Sequence, residues 1–167
     1  MIFFDEARLG LKPVTGRFWA MKGVRPLAAV RPGYGNFYVY SAVCPATGED
    51  VTLFLPRVNT GMMNLFLGEL GKALGGRRCL LVMDRAGWHR SAGLEVPENM
   101  EIVLLPPYSP EPDPVERLWA WLKRHALRNR LMHTLDEVMD SLEDTMRRAT
   151  PDFLKSICRC NYLSHQK

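Results

Sequence analysis

The 167-residue sequence has no apolar run long enough to cross a membrane and no cysteines paired in CxxC spacing. Its longest apolar stretches fall far short of the roughly 18 residues that a spanning helix needs. The chain opens directly on a strand-like segment rather than on a signal peptide. Its four cysteines are typical of reduced thiols inside a cell. These features predict a soluble cytoplasmic protein that has no membrane partner.

Internal repeats, low-complexity tracts and linker-like segments are also missing from the sequence. A chain of this length with 47% hydrophobic residues suits one well-packed domain and is too short for two of ordinary size. We therefore expect a single domain over residues 1–167.

Acidic residues are absent from residues 117–130, although the net charge of the whole chain is only +4. This stretch, RLWAWLKRHALRNR, contains five lysine and arginine residues. Positive charge clustered in this way indicates a polyanion as the partner. The pattern alone also fits an ordinary solvated helix face.

The pattern of turns and apolar residues predicts a mixed α/β fold. Strands are predicted at residues 1–7, 25–31, 37–44, 51–56, 79–84 and 101–105. Helices are predicted at residues 60–74, 134–148 and 151–158, with another that begins near Asp113. This order favours a mixed sheet, in which an antiparallel meander is followed by parallel strands, flanked by helices.

Two of the predicted strands deliver a carboxylate. MIFFDEA carries Asp5 directly after four apolar residues, and CLLVMD ends in Asp84. A third acid, Glu116, follows the proline-rich segment LPPYSPEPDPVE at the start of a predicted helix. Asp113, Pro114 and Glu116 also have the spacing of a helix capping box, which by itself would explain both acids.

The helix that begins near Asp113 has two different faces. Its apolar stripe consists of Val115, Leu118, Trp119, Leu122 and Ala126. Glu116 lies at the boundary between that stripe and an outer basic face. We predict that the residues near that outer face contact DNA phosphates: Arg117, Trp121, Lys123, Arg124 and Arg128. Trp121 also fits an ordinary, partly exposed aromatic residue.

Three carboxylates that meet at one place repel each other, and divalent cations remove that conflict. Oxygen ligands without thiolates favour Mg²⁺ or Mn²⁺ over zinc. Two such ions about 4 Å apart can activate an attacking oxygen and stabilise a departing one. The three acids therefore predict metal-dependent cleavage of phosphodiesters.

Three segments resemble the acidic motifs of the DDE transposases, in the bacterial insertion-sequence branch related to the mariner elements: FFDEARLG, LLVMDRAGWHRS and LPPYSPEPDPVERLWAWLK. WAMKGVRPL, YVYSAVCPATGE and LPRVNTGMMNLFLGEL also match that branch in order, so the likeness covers nearly the whole chain. The resemblance implies a ribonuclease H-like fold. It also implies a catalytic and metal-binding triad of Asp5, Asp84 and Glu116.

By this resemblance, the enzyme would cut double-stranded DNA at transposon ends and join the freed 3′ hydroxyl to target DNA, using two Mg²⁺ or Mn²⁺ ions. Asp5 would bridge both ions, and Asp84 and Glu116 would each hold one. His89 and Asp113 are possible auxiliary residues, and His89 could position a phosphate or an acid or be purely structural. A homodimer on DNA and a nucleoid-associated location are also implied.

The sequence departs from that family at two motif positions, since Asp113 and Arg85 stand where members commonly have Asn. We expect no helix-turn-helix DNA-binding module in this chain. Two alternatives stay open: another ribonuclease H-like nuclease, and a catalytically inactive or fragmentary transposase-derived protein that binds DNA.

Overall fold

Five strands form one mixed sheet in the computed structural model, which describes residues 1–17, 19–25, 27, 29, 31–106 and 113–160, with only the backbone at 88 and 90. The strands are β1 (Ile2–Gly10), β2 (Asn36–Val43), β3 (Asp50–Leu55), β4 (Cys79–Met83) and β5 (Met100–Leu104). Their spatial order is β3-β2-β1-β4-β5. β1, β2 and β3 pair antiparallel, whereas β4 pairs parallel with both β1 and β5. The predicted mixed sheet is confirmed.

The helices begin where a side chain can cap them. They are α1 (Thr60–Ala73), α2 (Pro114–Leu122), α3 (Leu135–Met146) and α4 (Pro151–Ile157), with a 3₁₀ helix at Gly87–Arg90. The side chains of Asn59, Asp113, Thr134 and Thr150 each accept an N–H from the first turn of the helix that follows. α2 continues into a π-helical turn at Lys123–Leu127. The predicted helices are confirmed, and no helix of the described chain is long and apolar enough to span a membrane.

The strand predicted at residues 25–31 is wrong. The described positions of that range, 25, 27, 29 and 31, belong to an irregular connection between β1 and β2. Leu27 is 94% exposed, so its apolar side chain does not pack into the core. The segment also contains Pro26 and is followed by Pro32, and proline cannot donate to a sheet ladder.

Side-chain alternation along β1 gives the sheet two differently packed faces. Phe3, Ala7 and Leu9 belong to a core cluster with residues of α2, α3 and α4, here called the α2 face. Ile2 and Phe4 belong to a second cluster with residues of α1, here called the α1 face. The predicted apolar stripe of α2 is buried on the α2 face. By the same alternation, Asp5 belongs to the α2 face and Glu6 belongs to the α1 face.

Candidate active site

The first two predicted acids lie on neighbouring strands. In the parallel pairing of β1 with β4, Phe3 lies opposite Val82. Asp5 and Asp84 each follow two residues later, so the same register places them side by side where β4 ends. The structure therefore brings together two acids that are far apart in the sequence.

Asp5 is held by an indole from α2. Nε1 of Trp119 donates a hydrogen bond of 2.8 Å to Oδ2 of Asp5. Burial raises the pKa of Asp5 to about 6, an effect that the Trp119 bond opposes and the charges of Glu6 and Asp84 strengthen. The helical periodicity predicts Trp119 only as part of the apolar stripe and does not reveal this contact. The available signal was that a buried indole N–H needs an acceptor.

Asp84 is more exposed than Asp5 and is held from a different direction. Its Oδ1 accepts the N–H of Ala86 at 2.9 Å and lies 2.8 Å from Nδ1 of His89. His89 is buried, and its Nε2 lies 3.3 Å from Oε2 of Glu6. Burial alone would lower the pKa of His89, but Glu6 and Asp84 outweigh it and raise that pKa. His89 thus contacts an acid, and Glu6 is a site residue that the sequence analysis missed.

Asp113 lies within electrostatic range of all three acids of the predicted triad. Its Oδ1 accepts the N–H of Val115 at 2.9 Å, which caps α2. Burial raises the pKa of Asp113 to about 7, and the charges of Asp5, Glu116 and Asp84 raise it further. The Glu116 side chain is exposed in the first turn of α2. Asp5, Asp84, Asp113 and Glu116 are hereafter called the acid cluster.

Residues 1–139 match the family model of the DDE superfamily endonuclease. The chain belongs to this family. One relative of this DDE endonuclease is the uncharacterized protein y4pE/y4sA of Sinorhizobium fredii (strain NBRC 101917 / NGR234). The two are 38% identical over 103 residues, which cover 61% of this chain and 76% of that protein.

The fold of this DDE endonuclease is similar to that of solved Mos1 structures. The Mos1 strand transfer complex is 20% identical with a TM-score of 0.68, and a pre-cleavage Mos1 transpososome is 17% identical with a TM-score of 0.69. The Mos1 mariner paired end complex with Mn is 18% identical with a TM-score of 0.68. Each match covers 94% of this chain and 50% or 51% of the Mos1 chain. The chain therefore spans about half the length of these structures, and the predicted ribonuclease H-like fold is confirmed.

The acid cluster of this DDE endonuclease suits a divalent cation by its chemistry. Its donors are carboxylate oxygens, the ligands that Mg²⁺ and Mn²⁺ prefer. Burial first, and the neighbouring carboxylates after it, raise the pKa values of Asp5 and Asp113, and a bound cation would relieve the repulsion among those carboxylates. Within the part of the chain that the structure describes, no three His, Cys, Asp or Glu residues are grouped to hold a metal. The metal-binding roles of Asp5, Asp84 and Glu116 stay predictions.

The five residues predicted to contact DNA fall into two groups. Near α4, Arg117 donates to the backbone carbonyl of Arg159, and the ring centroid of Trp121 lies 4.9 Å from that of Phe153. Lys123 and Arg124 are exposed in the π-helical turn. Arg128 donates to the backbone carbonyl of Arg17. Their role in binding DNA also stays a prediction.

Proposed function

We propose that this DDE endonuclease is the catalytic domain of a transposase, which cleaves DNA at transposon ends and transfers the cut strands to target DNA. The observation that carries the proposal is the β1–β4 register, which puts Asp5 beside Asp84 next to the helix that carries Glu116. The Mos1 structures of similar fold are named for strand transfer and paired-end complexes, which supports the same class of reaction.

We further propose that Asp5, Asp84 and Glu116 hold two Mg²⁺ or Mn²⁺ ions. When bound, such ions stabilise charge on the phosphodiester and lower the pKa of an attacking water or hydroxyl. The protein's own residues supply orientation. The Trp119 N–H holds one oxygen of Asp5, and the cap formed by Asp113 starts the helix that presents Glu116.

The proposed partner is double-stranded DNA, at both the transposon ends and the target. Exposed Lys123 and Arg124 and half-buried Arg128 supply positive charge for its phosphates. We propose a homodimer on DNA as the active assembly because two transposon ends must be handled together. The chain would then act as a single catalytic domain in the cytoplasm, associated with the nucleoid.

The central test is Mn²⁺-dependent cleavage of supercoiled plasmid by the Asp84→Asn variant. We expect cleavage to fall at least about 100-fold because a bound ion contributes several kcal/mol to stabilising the transition state, and loss of a ligand would remove or misplace that ion. Asp144→Asn, an exposed acid on α3, is the matched control and should cleave normally. Unchanged cleavage by a folded Asp84→Asn variant would contradict the proposal.

One observation favours a second candidate, a transposase-derived protein that binds DNA without turnover. Across the described ranges, no three potential ligands are already grouped around a metal position. Calorimetric titration with Mn²⁺ separates the two functions. The transposase should bind Mn²⁺ at the acid cluster, so that binding is lost in Asp5→Asn, whereas the inactive protein should show no such binding.

A further inference from the structure

A buried chain of contacts joins β1 to the acid at the end of β4. Each imidazole nitrogen of His89 faces a carboxylate: Nδ1 lies 2.8 Å from Oδ1 of Asp84, and Nε2 lies 3.3 Å from Oε2 of Glu6. The side chains of His89 and Glu6 are only 1% and 10% exposed. The Asp84 side chain, by contrast, is 61% exposed. A buried pair therefore ends on an exposed acid.

The ring of His89 is held in place from the α1 face. It packs edge-on against Phe4, with the ring centroids 5.5 Å apart and the planes at 73°. Glu6 follows Asp5 in β1, but side-chain alternation turns Glu6 to the opposite face of the sheet, towards His89. A buried carboxylate is costly unless it is paired. Pairing with His89 offsets that cost and fixes which nitrogen faces Asp84.

We propose that Glu6 and His89 are positioning residues for Asp84, which fix its carboxylate for binding a divalent cation. Both His89 and the N–H of Ala86 contact the same oxygen, Oδ1, and two contacts on one atom restrict rotation of the exposed side chain. A partner behind a metal ligand typically strengthens metal binding by orienting it. The inference rests on the proposed function, since it assigns a task to the same site.

The test measures Mn²⁺ affinity by calorimetry, together with kcat and KM for DNA cleavage. We expect Glu6→Ala and His89→Leu to weaken Mn²⁺ binding about 10-fold to 100-fold, with KM for DNA unchanged. Glu6→Gln keeps a carbonyl acceptor and His89→Asn keeps a donor near the position of Nδ1. Both conservative variants should stay within about threefold of the wild-type affinity.

Leu70→Val is the matched control because Leu70 lies in the same core cluster as Phe4 and takes part in neither polar contact. It should lower thermal stability and leave Mn²⁺ affinity unchanged. Equal affinity in wild type and all the Glu6 and His89 variants would overturn the inference while the proposed function stands, and so would an equal loss in Leu70→Val. A wild-type protein that binds no Mn²⁺ would overturn the proposed function first and this inference with it.

A different observation concerns the connection between β1 and β2. Residues 11–35 contain five lysine and arginine residues and no acid. The start of this connection is tied to the end of the π-helical turn, where Gly16 N–H donates to Oδ1 of Asn129 at 2.9 Å and Asn129 N–H donates to the carbonyl of Val14 at 2.8 Å. The two basic parts of the sequence thus meet at one place.

Their meeting forms an open cleft of about 690 Å³. It is lined by Arg17, Trp19, Arg124, Arg128 and Asn129. Trp19 is fully exposed. Three arginines around one cleft attract phosphates, and an exposed indole offers a flat surface on which an unpaired base can stack.

From this cleft we infer a nucleic-acid site in which the three arginines bind the backbone and Trp19 stacks on an unpaired base. The site adds Arg17 and Trp19 to the predicted DNA contacts, and it shifts the interface away from Arg117 and Trp121, which contact the region around α4. The inference rests on the proposed function for its partner. Its residues lie outside the acid cluster.

The test uses fluorescence anisotropy with a mixed-sequence DNA duplex that carries a short single-stranded overhang, over a range of salt concentrations. Arg17→Ala should reduce the slope of log affinity against log salt by about 0.9, the value of one phosphate contact. Trp19→Ala should weaken binding of the overhang duplex about tenfold and leave the blunt duplex almost unchanged. Arg148→Ala, an exposed arginine after α3, is the control and should keep the wild-type slope.

An unchanged slope in Arg17→Ala would overturn this second inference, as would equal loss of overhang and blunt duplex in Trp19→Ala. If Trp19→Ala instead reduces self-association in sedimentation runs without DNA and keeps full DNA affinity, the cleft binds a second copy of the chain. Absence of DNA binding by wild type would count against the proposed function itself.

Discussion

The two faces of the sheet hold the two strand acids in different ways. On the α2 face, Asp5 lies within β1 and accepts the N–H of Trp119. From the α1 face, His89 reaches Asp84 just beyond the end of β4, where the carboxylate is mostly exposed. Burial raises the pKa of Asp5 to about 6. Two acids with the same sequence pattern therefore differ in how much their ionised carboxylates destabilise the folded state.

The largest expected effect is the loss of DNA cleavage, and it should be the same for both strand acids. We expect Asp5→Asn to lose Mn²⁺-dependent plasmid cleavage to the same extent as Asp84→Asn, at least about 100-fold, because the proposed chemistry needs both carboxylates. The measurement is the initial rate of nicking at saturating Mn²⁺. A folded Asp5→Asn variant that still cleaves would show that only Asp84 belongs to the metal site.

The free energy of unfolding should respond differently to loss of the charge at Asp5 and at Asp84. At pH 8 without metal, we expect Asp5→Asn to raise the free energy of unfolding by about 2 kcal/mol, since a pKa unit corresponds to about 1.4 kcal/mol. Asn can still accept the Trp119 N–H. Asp84→Asn should change stability by less than about 0.5 kcal/mol because its side chain is exposed. Urea unfolding of both variants measures this difference. Equal changes in the free energy of unfolding would contradict the prediction that only Asp5 destabilises the folded state.

The indole of Trp119 offers a way to disturb one face alone. Trp119→Phe keeps an aromatic ring in the core but removes the donor to Asp5, so we expect Mn²⁺ affinity to fall about tenfold. Trp121→Phe on the same helix is the matched control and should bind Mn²⁺ normally. Calorimetric titration distinguishes them, and a similar loss in both variants would point to general loosening of α2.

The last prediction is a pH dependence at Asp113, whose raised pKa means that folding favours its protonated form. Asp113→Asn can preserve the cap of α2 and remove the buried charge, so at pH 8 without metal we expect a gain of at least about 2 kcal/mol in the free energy of unfolding, because the pKa of Asp113 is raised further than that of Asp5. Part of the gain is offset by the lost negative charge at the helix start. The stability difference between variant and wild type should shrink as pH falls through about 7 and vanish near pH 4. Urea unfolding at several pH values would reveal a flat difference if this account were wrong.

The elements that carry the acids could be predicted because local signals define them. Apolar runs mark β1 and β4, and the Asp113 cap with Pro114 marks the start of α2. The false strand at residues 25–31 shows the limit of such signals, since apolar composition does not reveal whether a partner strand is available. The mixed sheet followed from the order of elements, whereas the meeting of Asp5 and Asp84 was expected from the resemblance of their segments to the DDE motifs.

The contacts around the acids could not be predicted from the sequence. The hydrogen bond from Trp119 to Asp5 joins residues 114 positions apart and depends on how α2 docks on the sheet. Glu6 was not predicted because it follows Asp5 directly. Side-chain alternation along β1 places the two carboxylates on opposite faces of the sheet. Which of the five predicted DNA contacts lie against α4 depends on the position of α4, and that position follows from tertiary packing.

The pairing of β1 with β4 also ties the accuracy of folding to the chemistry of the site. Sliding β4 by a single residue would, depending on its direction, either place the Met83 thioether among the carboxylates or push the Asp84 charge into the apolar layer against α1. A misaligned chain would thus be inactive and poorly folded at once. Proteolysis that removes unstable protein would therefore also remove chains whose active-site residues are misplaced.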